Sequence, residues 1–369
     1  MKYLHSIPKG WQPPHCPNPN CKFHYPLPEG FPFKEDGFYI RKSDNRRIQR
    51  FLCKSCKRSF STQTFSVSYW LKKPDLISKV FMKAVGCMAN RQIARDLKVN
   101  PASIDRIISR MARHCLLFHA RNMKDATPPN SIVVDGFVTF ENSQYFPFHH
   151  HNAVEKDTDF FLYFTDSEVR RSGNMTPKQR KRRHELEGLF GKPDPQSVRK
   201  DMAHLLEVTL QGQKSAVVYS DCHQSYPRAI RDTGVDVTHK VTSSKVRRDR
   251  HNDLWEINLL DLVIRHSSSN HKRETIAWSK RRQSSAERLA IFLVWRNYIN
   301  CRREKKPRGP SPAMARGMYK HRLTVEEVFR ERIFRDHIEL PNRWSEYYAR
   351  TVVTRSLPKN NSHDLTYAR

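Results

Sequence analysis

Two short apolar runs in this chain each lead into an aspartate. Residues 131–134 run into Asp135, and residues 216–220 run into Asp221. Their β-branched and apolar content is typical of buried strands. A carboxylate at the end of such a strand is unfavourable unless something pairs with it. Each aspartate could merely cap a turn, but two such strands together predict carboxylates that converge on a metal ion.

The pattern around these runs predicts a mixed sheet. Two further strands are predicted after Asp135, then a strongly basic helical stretch, and a short helix and another strand after Asp221. These elements span residues 146–154, 159–164, 175–211, 226–231 and 235–241. Strands followed by helices and then by the strand that ends at Asp221 predict an α/β sheet.

Apolar positions recur with helical spacing between residues 74 and 113. Helices are predicted over 74–88, 90–97 and 101–113, with a turn at 98–100. Pro101 suits a helix start, where its missing N–H is harmless. Four apolar residues of the last helix are expected to face the core, namely Ile104, Ile107, Ile108 and Met111. The face predicted to be exposed carries Ser103, Arg106, Ser109, Arg110 and Arg113. The pattern predicts a helix-turn-helix that places this last helix in a DNA major groove. The alternative is a helical hairpin with a solvated basic face.

The overall charge favours a polyanionic partner. The 369 residues include 67 Lys and Arg against 37 Asp and Glu, a formal charge of +30. So many positive side chains repel one another in the folded state, and a nucleic acid partner explains their excess best. No run of about 18 apolar residues is present to span a bilayer. The N-terminus lacks the apolar core of a signal peptide, so a cytoplasmic, nucleoid-associated protein without disulfides is predicted.

Four cysteines near the N-terminus have the spacing of a zinc site. Cys16 and Cys21 form a C-x4-C knuckle, and Cys53 and Cys56 form a C-x2-C knuckle. Strands over 38–40 and 48–52, joined by a polar turn at 42–46, complete the order of a zinc ribbon with structural Zn²⁺. The long gap between the knuckles leaves His15 or His24 as possible replacements for one cysteine. The alternative is four unrelated reduced cysteines.

A third acidic ligand has several candidates. Asp261 lies inside a predicted helix over 254–265 and shares an apolar stripe, so it needs a cation. Glu256 is the second candidate, although Asp253-x-x-Glu256 also has the layout of a capping box. Glu287, on a helix predicted over 285–299, is the third.

The order of these features resembles the DDE-type transposases of bacterial insertion sequences. The resemblance covers about residues 10–300. Its most specific parts are Cys53-x-x-Cys56 followed by Arg58-x-Phe60, Asp221 with Tyr226 five residues on, and the pair Asn258/Asp261. The family usually has Glu as its third acid, so Asp261 departs from the pattern and Glu256 stays open.

The resemblance implies a ribonuclease H-like core that holds two Mg²⁺ ions, with Mn²⁺ as a substitute. Asp135, Asp221 and Asp261 would carry DNA cleavage and strand transfer, and a homodimer or larger assembly would bring together two transposon ends and target DNA. A basic cluster beside the third acid is predicted to hold DNA phosphates, namely Arg265, Lys272, Arg273, Lys280, Arg281 and Arg282.

The predicted fold is therefore a multidomain α+β and α/β chain. A zinc ribbon occupies residues 1–70, a helix-turn-helix domain 71–125, and the ribonuclease H-like catalytic core 126–300. Residues 301–369 are predicted as a basic linker (302–312), a helix (323–334) and a polar, disordered end (356–369). Two other functions remain: a zinc and helix-turn-helix transcription regulator with an inactive core, and a metal-dependent nuclease without strand transfer.

Overall fold

The computed structural model describes residues 11–25, 30–42 and 44–360. It begins with an antiparallel sheet of β1 (Phe33–Arg41), β2 (Arg46–Cys53) and β3 (Ser59–Ser61). The two strands predicted here are confirmed, and the third adds to them. Phe51 stacks on Phe60 with 5.7 Å between ring centroids, inside a small buried aromatic cluster. Residues 1–10 of the predicted zinc ribbon and Ser43 of its predicted turn lie outside the described residues.

Three helices follow, α1 (Leu76–Val85), α2 (Asn90–Asp96) and α3 (Pro101–Lys124). All three were predicted, and the four apolar residues expected inside α3 are buried. Asn100 caps α3 by accepting a hydrogen bond from the Ala102 N–H. The helix is 24 residues long, however, and continues well beyond Arg113. Residues 111–119 of this helix are all buried, because helices from the C-terminal third of the chain pack around it.

A five-stranded mixed sheet forms the centre of the molecule, and it confirms the predicted sheet. Its strands are β4 (Ser131–Phe140), β5 (Pro147–Glu155), β6 (Phe161–Glu168), β7 (Ser215–Ser220) and β8 (Asp236–Val241). The order is β6-β5-β4-β7-β8. β4, β5 and β6 pair antiparallel, whereas β7 and β8 run parallel to β4. The expected end of β4 was wrong: the strand continues to Phe140, so Asp135 lies inside it, where pairing with β5 extends it.

Eight further α-helices follow α3 in the described part of the chain. They are α4 (Pro177–Phe190), α5 (Ser197–Thr209), α6 (Tyr226–Asp232), α7 (Trp255–Ser267), α8 (Arg282–Val294) with a π-helical turn (Trp295–Ile299), α9 (Pro312–Ala315), α10 (Val325–Arg330) and α11 (Asn342–Ala349). The helical stretch predicted over 175–211 is two helices, because Gly191 takes a φ of +78° and two prolines follow it. No helix in the described part of the chain is long and apolar enough to cross a membrane.

The C-terminal segment packs on the sheet, which differs from the linker and tail that the sequence predicted. Trp344 is buried and donates a hydrogen bond from Nε1 to the Phe164 carbonyl at 3.0 Å. Arg343 forms an ion pair with the buried Asp166. The helix predicted over 323–334 is only six residues long in α10. The last described residues also make a contact with the core, because Arg281 donates a hydrogen bond to the Lys359 carbonyl. Residues 361–369 of the predicted disordered end lie outside the described residues.

Candidate active site and metal centre

Parallel pairing of β4 with β7 brings two aspartates side by side. The register pairs Ser131 with Val217 and Val133 with Tyr219. Asp135 follows Val133 by two residues within β4, and Asp221 follows Tyr219 by two residues, just past the end of β7, so the register places both acids at the same level of the sheet. Burial raises the pKa of Asp135 to about 7, and the Asp221 carboxylate adds to the shift. The two acids expected to converge thus lie within electrostatic reach of each other.

Helix α7 brings Asp261 to the same place. Asn152 stands directly opposite Asp135 on β5 and donates a hydrogen bond from Nδ2 to Asp261 Oδ1 at 3.1 Å. Burial raises the pKa of Asp261 to about 7, with repulsion from Asp135 as the next cause. The Tyr226 hydroxyl has its pKa raised by burial and then by all three aspartates. Asp135 therefore interacts electrostatically with both Asp221 and Asp261.

The ligand atoms of the three aspartates do not all lie within 4.8 Å of one another, so these acids are not arranged around a single ion in this structure. The described residues contain one group of at least three potential ligands whose donor atoms all lie within 4.8 Å, and that group is the four cysteines. Two Mg²⁺ ions about 3.5–4 Å apart, each about 2.1 Å from its oxygens, allow ligands of different ions to stand up to about 8 Å apart. Buried carboxyls with raised pKa values are also poorly compensated by the surrounding protein. The donor set therefore fits hard divalent cations.

The other two candidates for the third acid have partners elsewhere. Glu256 pairs with Lys156, 3.1 Å from Nζ to Oε2. The capping box expected for Glu256 does not form, because α7 begins at Trp255 and Asn252 caps the preceding turn. Glu287 is buried in an ion pair with Arg350, at 3.0 Å.

Four cysteines form a buried cluster that can hold a metal ion. Cys16 Sγ lies 3.6 Å from Cys56 Sγ, and Cys21 Sγ lies 3.9 Å from Cys53 Sγ. A Zn²⁺ ion with four Zn–S bonds of about 2.3 Å has tetrahedron edges of about 3.8 Å. The cluster therefore has the dimensions of a Zn²⁺ site.

The two histidines considered as replacements lie outside this four-cysteine group. His24 bonds the Asp336 carboxylate at 2.8 Å and the Cys16 carbonyl at 2.9 Å. His15 packs edge-on against Phe334, with ring centroids 4.6 Å apart. Both rings therefore attach the cysteine cluster to the C-terminal segment.

The exposed face predicted for α3 was wrong for three of its five residues. Ser103 and Arg106 are accessible, but Ser109 and Arg113 are buried. Arg110 is half-buried and donates to the Val67 and Tyr69 carbonyls at 3.0 and 2.8 Å. The cause is tertiary, since α8, α11 and the segment before α1 cover this part of the helix.

The predicted phosphate-binding cations differ in accessibility. Arg265 lies beside Asp261, with its guanidinium over the Phe137 ring. Lys272, Arg273 and Lys280 are exposed, and Lys280 lies over the Trp278 ring. Arg281 is partly buried at the Lys359 carbonyl. The prediction for Arg282 was wrong, because it is buried and forms ion pairs with Asp166 and Glu168, both at 3.1 Å.

Some residues at the site were missed from the sequence. Arg248 is exposed, and its charge lowers the pKa of both Asp135 and Asp261, against the larger effect of burial. It belongs to the basic loop 245–251, KVRRDRH, whose charge density was a usable signal. Asn152, by contrast, gave no signal, because only the pairing of β5 with β4 shows that it faces Asp135.

Close packing beside Asp135 leads to a first prediction. A Cβ atom at Gly136 would lie 1.7 Å from the His150 carbonyl oxygen, so Gly136→Ala must push β4 away from β5. We expect a loss of unfolding free energy of at least about 1–3 kcal/mol, the usual range for overpacking. Denaturant unfolding measures it. Gly188→Ala is the control: its Cβ would meet nothing within 4 Å in α4, and it should stabilise by up to about 1 kcal/mol. Equal stability of the two variants contradicts this packing.

A second prediction concerns pH. Folding raises the pKa of Asp135 and of Asp261 to about 7, from about 3.9 in an unfolded chain. The folded protein therefore binds more protons, and this contribution to stability, complete below pH of about 4, is lost as pH rises through about 7. In magnesium-free buffer, Asp135→Asn should gain stability relative to wild type as pH rises from about 4 to about 7, and the difference should level off above that. Denaturant titrations at each pH measure the difference, and a constant difference rules out the raised pKa.

Comparisons with known proteins identify no family for this chain. No protein-family model matches this chain, and no curated protein matches it. Among solved structures, a chain in the cryo-EM structure of the simian T-cell lymphotropic virus intasome in complex with PP2A regulatory subunit B56 gamma matches at 12% identity. The match covers 67% of this chain and 74% of that chain, with a TM-score of 0.22. This TM-score is too low to establish a shared fold.

Proposed function

We propose that this protein is a DDE-type transposase that cleaves DNA at transposon ends and joins it to target DNA with divalent metal ions. The observation that carries the proposal is the meeting of Asp135, Asp221 and Asp261, from two central strands and one helix, in a poorly compensated carboxylate cluster. The excess of basic residues supports a polyanionic substrate.

The sheet supports the ribonuclease H-like core that the resemblance implied. Three antiparallel strands, β4 to β6, are followed by two helices and then by β7 and β8, parallel to β4. This topology sets β7 directly beside β4 although about 75 residues separate them. The helical connection is what allows two strands distant in sequence to deliver Asp135 and Asp221 to one edge.

Each residue of the cluster has a distinct role in this proposal. Asp135, which interacts with both other acids, would bind both ions, and Asp221 and Asp261 would each hold one of them. Two Mg²⁺ ions supply charge stabilisation to the attacking and leaving oxygens of a phosphodiester displacement. Asn152 orients the Asp261 carboxylate through its hydrogen bond. Arg248 and Arg265 lie where a DNA phosphate would approach the acids.

The cysteine cluster and α3 suit DNA binding outside the site. The cysteines can hold structural Zn²⁺, and Ser103 and Arg106 remain accessible for a groove contact. Bringing together two transposon ends calls for at least a dimer, which is part of the proposal.

The test is a cleavage and joining assay on a labelled duplex that carries the ends of the element encoding this protein, with Mg²⁺. Hydrolysis at the end, followed by a product joined to a second DNA, supports the transposase. Hydrolysis without a joined product favours a metal-dependent nuclease. Tight, specific binding without hydrolysis favours the regulator with an inactive core, and both of these outcomes reject the transposase.

A further inference from the structure

A groove beside α3 contains an unusual concentration of positive charge. It has a volume of about 790 Å³ and lies between the first half of α3 and the segment that precedes α1. Four exposed cations surround its mouth, namely Lys72, Lys73, Lys98 and Arg106. Among the described residues, none that lines the groove is acidic. Like charges gathered around one cavity repel each other, so an anionic occupant would stabilise them.

The base of the groove adds three arginines, two of which interact with the Glu287 carboxylate. Arg110, Arg113 and Arg350 line it, and Glu287 forms an ion pair with Arg350 at 3.0 Å. Arg113 donates to the neutral Ser109 hydroxyl, and Arg110 donates to backbone carbonyls. Burial lowers the pKa of Arg113 to about 10, with Arg110 and Arg350 contributing repulsion. The positive charge at this base therefore exceeds what Glu287 balances.

A strained tryptophan stands at the edge of the groove. Trp70 is 72% exposed, and its backbone φ is +61°. Large side chains rarely occupy this left-handed region, and surrounding contacts must hold such a residue there. The Arg110 guanidinium supplies two of them by bonding the carbonyls of Val67 and Tyr69, just before Trp70. The fold therefore holds an indole ring outward beside seven cations.

We propose that this groove binds an unpaired stretch of a nucleic acid strand, one or two nucleotides long. The phosphates would lie on the lysines and arginines, and a base would stack on Trp70. A cavity of this volume matches sites for small ligands, about 300–1,000 Å³, and does not admit a paired duplex. Cationic grooves with an aromatic stacking surface are typical of single-strand binding. The inference rests on the proposed function only for the class of partner, and the groove is separate from the three aspartates.

The experiment measures binding of the full-length, zinc-loaded protein to a labelled oligodeoxythymidine and to a labelled duplex of equal length, by fluorescence anisotropy. Trp70→Ala should weaken single-strand binding about 10-fold or more, because stacking of one base contributes that much. Duplex binding should stay unchanged. Trp70→Phe, which keeps an aromatic face, should restore most of the single-strand affinity.

A matched pair of double variants tests the cations. Lys72→Glu with Lys73→Glu should weaken single-strand binding strongly and reduce its salt dependence, since two phosphate contacts are lost. Lys305→Glu with Lys306→Glu makes the same charge change at two adjacent exposed lysines away from the groove, and should have a much smaller effect. Equal losses in the two double variants would overturn the inference, as would unchanged single-strand binding by Trp70→Ala.

The outcomes separate this inference from the proposed function. If wild-type protein cleaves the transposon end and Trp70→Ala binds single strands normally, the proposed groove is rejected and the transposase proposal stands. If single-strand binding depends on Trp70 but wild-type protein does not cleave DNA with Mg²⁺, the proposed groove stands and the transposase proposal is rejected.

Discussion

Replacing Asp135 by asparagine is expected to reduce magnesium-dependent DNA cleavage by about 10³-fold or more. The reason is that its carboxylate interacts with both Asp221 and Asp261. In the proposed site Asp135 would hold both metal ions, so its loss would remove several kcal/mol of charge stabilisation, and each 1.36 kcal/mol is about a factor of ten in rate. Asparagine keeps the shape of the side chain, so DNA affinity and folding should be retained. Single-turnover cleavage, with binding measured in parallel, gives the result.

The matched control for Asp135→Asn is Glu256→Gln. It also converts an acid to its amide, but Glu256 pairs with Lys156 rather than with the three aspartates. We expect cleavage by this variant within a few-fold of wild type. Asp261→Asn should behave like Asp135→Asn. If Glu256→Gln lost cleavage while Asp261→Asn kept it, the third ligand would be Glu256 and the assignment of Asp261 would fail.

Removal of the metal from the four-cysteine cluster is expected to unfold the N-terminal module. Structural Zn²⁺ contributes about 10–16 kcal/mol in small zinc domains. The module's own apolar core is small, a few aromatic rings around Phe51, Phe60 and Phe65. Cys53→Ser should therefore abolish zinc binding and open residues 11–61 to limited proteolysis. Zinc content by mass spectrometry and the protease digestion pattern measure the two effects.

The control for the cysteine prediction is Cys87→Ser, which removes a thiol outside the cluster. It should retain one zinc per chain and the wild-type digestion pattern. The loss should also reach the C-terminal segment, because His24 bonds Asp336 and Phe334 packs within the same aromatic cluster. A zinc-free Cys53→Ser protein with wild-type protease resistance would show that the cluster is not structural.

Local signals were sufficient where neighbours in sequence are also neighbours in space. The C-x4-C and C-x2-C spacings indicated which cysteines belong together, and the structure brings all four into one cluster. Helical spacing predicted α1, α2 and the buried positions of α3. These features depend on short loops and on apolar stripes along one side of a helix, and both can be recognised from the local sequence.

Long-range packing accounts for the errors. Arg110 and Arg113 were predicted on an exposed face, because an isolated amphipathic helix exposes its polar face to solvent. In the folded chain α8, α11 and residues 67–69 cover that side of α3. Arg282 was predicted to bind DNA, yet Asp166 and Glu168 of β6 neutralise it. The C-terminal segment was predicted as a tail, although Trp344 and Arg343 dock on the sheet.

The sequence by itself determined which side chains are candidates for binding metal. It determined the four clustered cysteines, the strands that lead to Asp135 and Asp221, and the placement of Asp261 within a helix. Only the tertiary structure decided which acids meet. The parallel pairing of β4 with β7, the opposition of Asn152 to Asp135, and the ion pairs that occupy Glu256 and Glu287 all join residues far apart in the chain. Such contacts depend on how sheets and helices pack, and no local pattern of hydrophobic and polar residues encodes them.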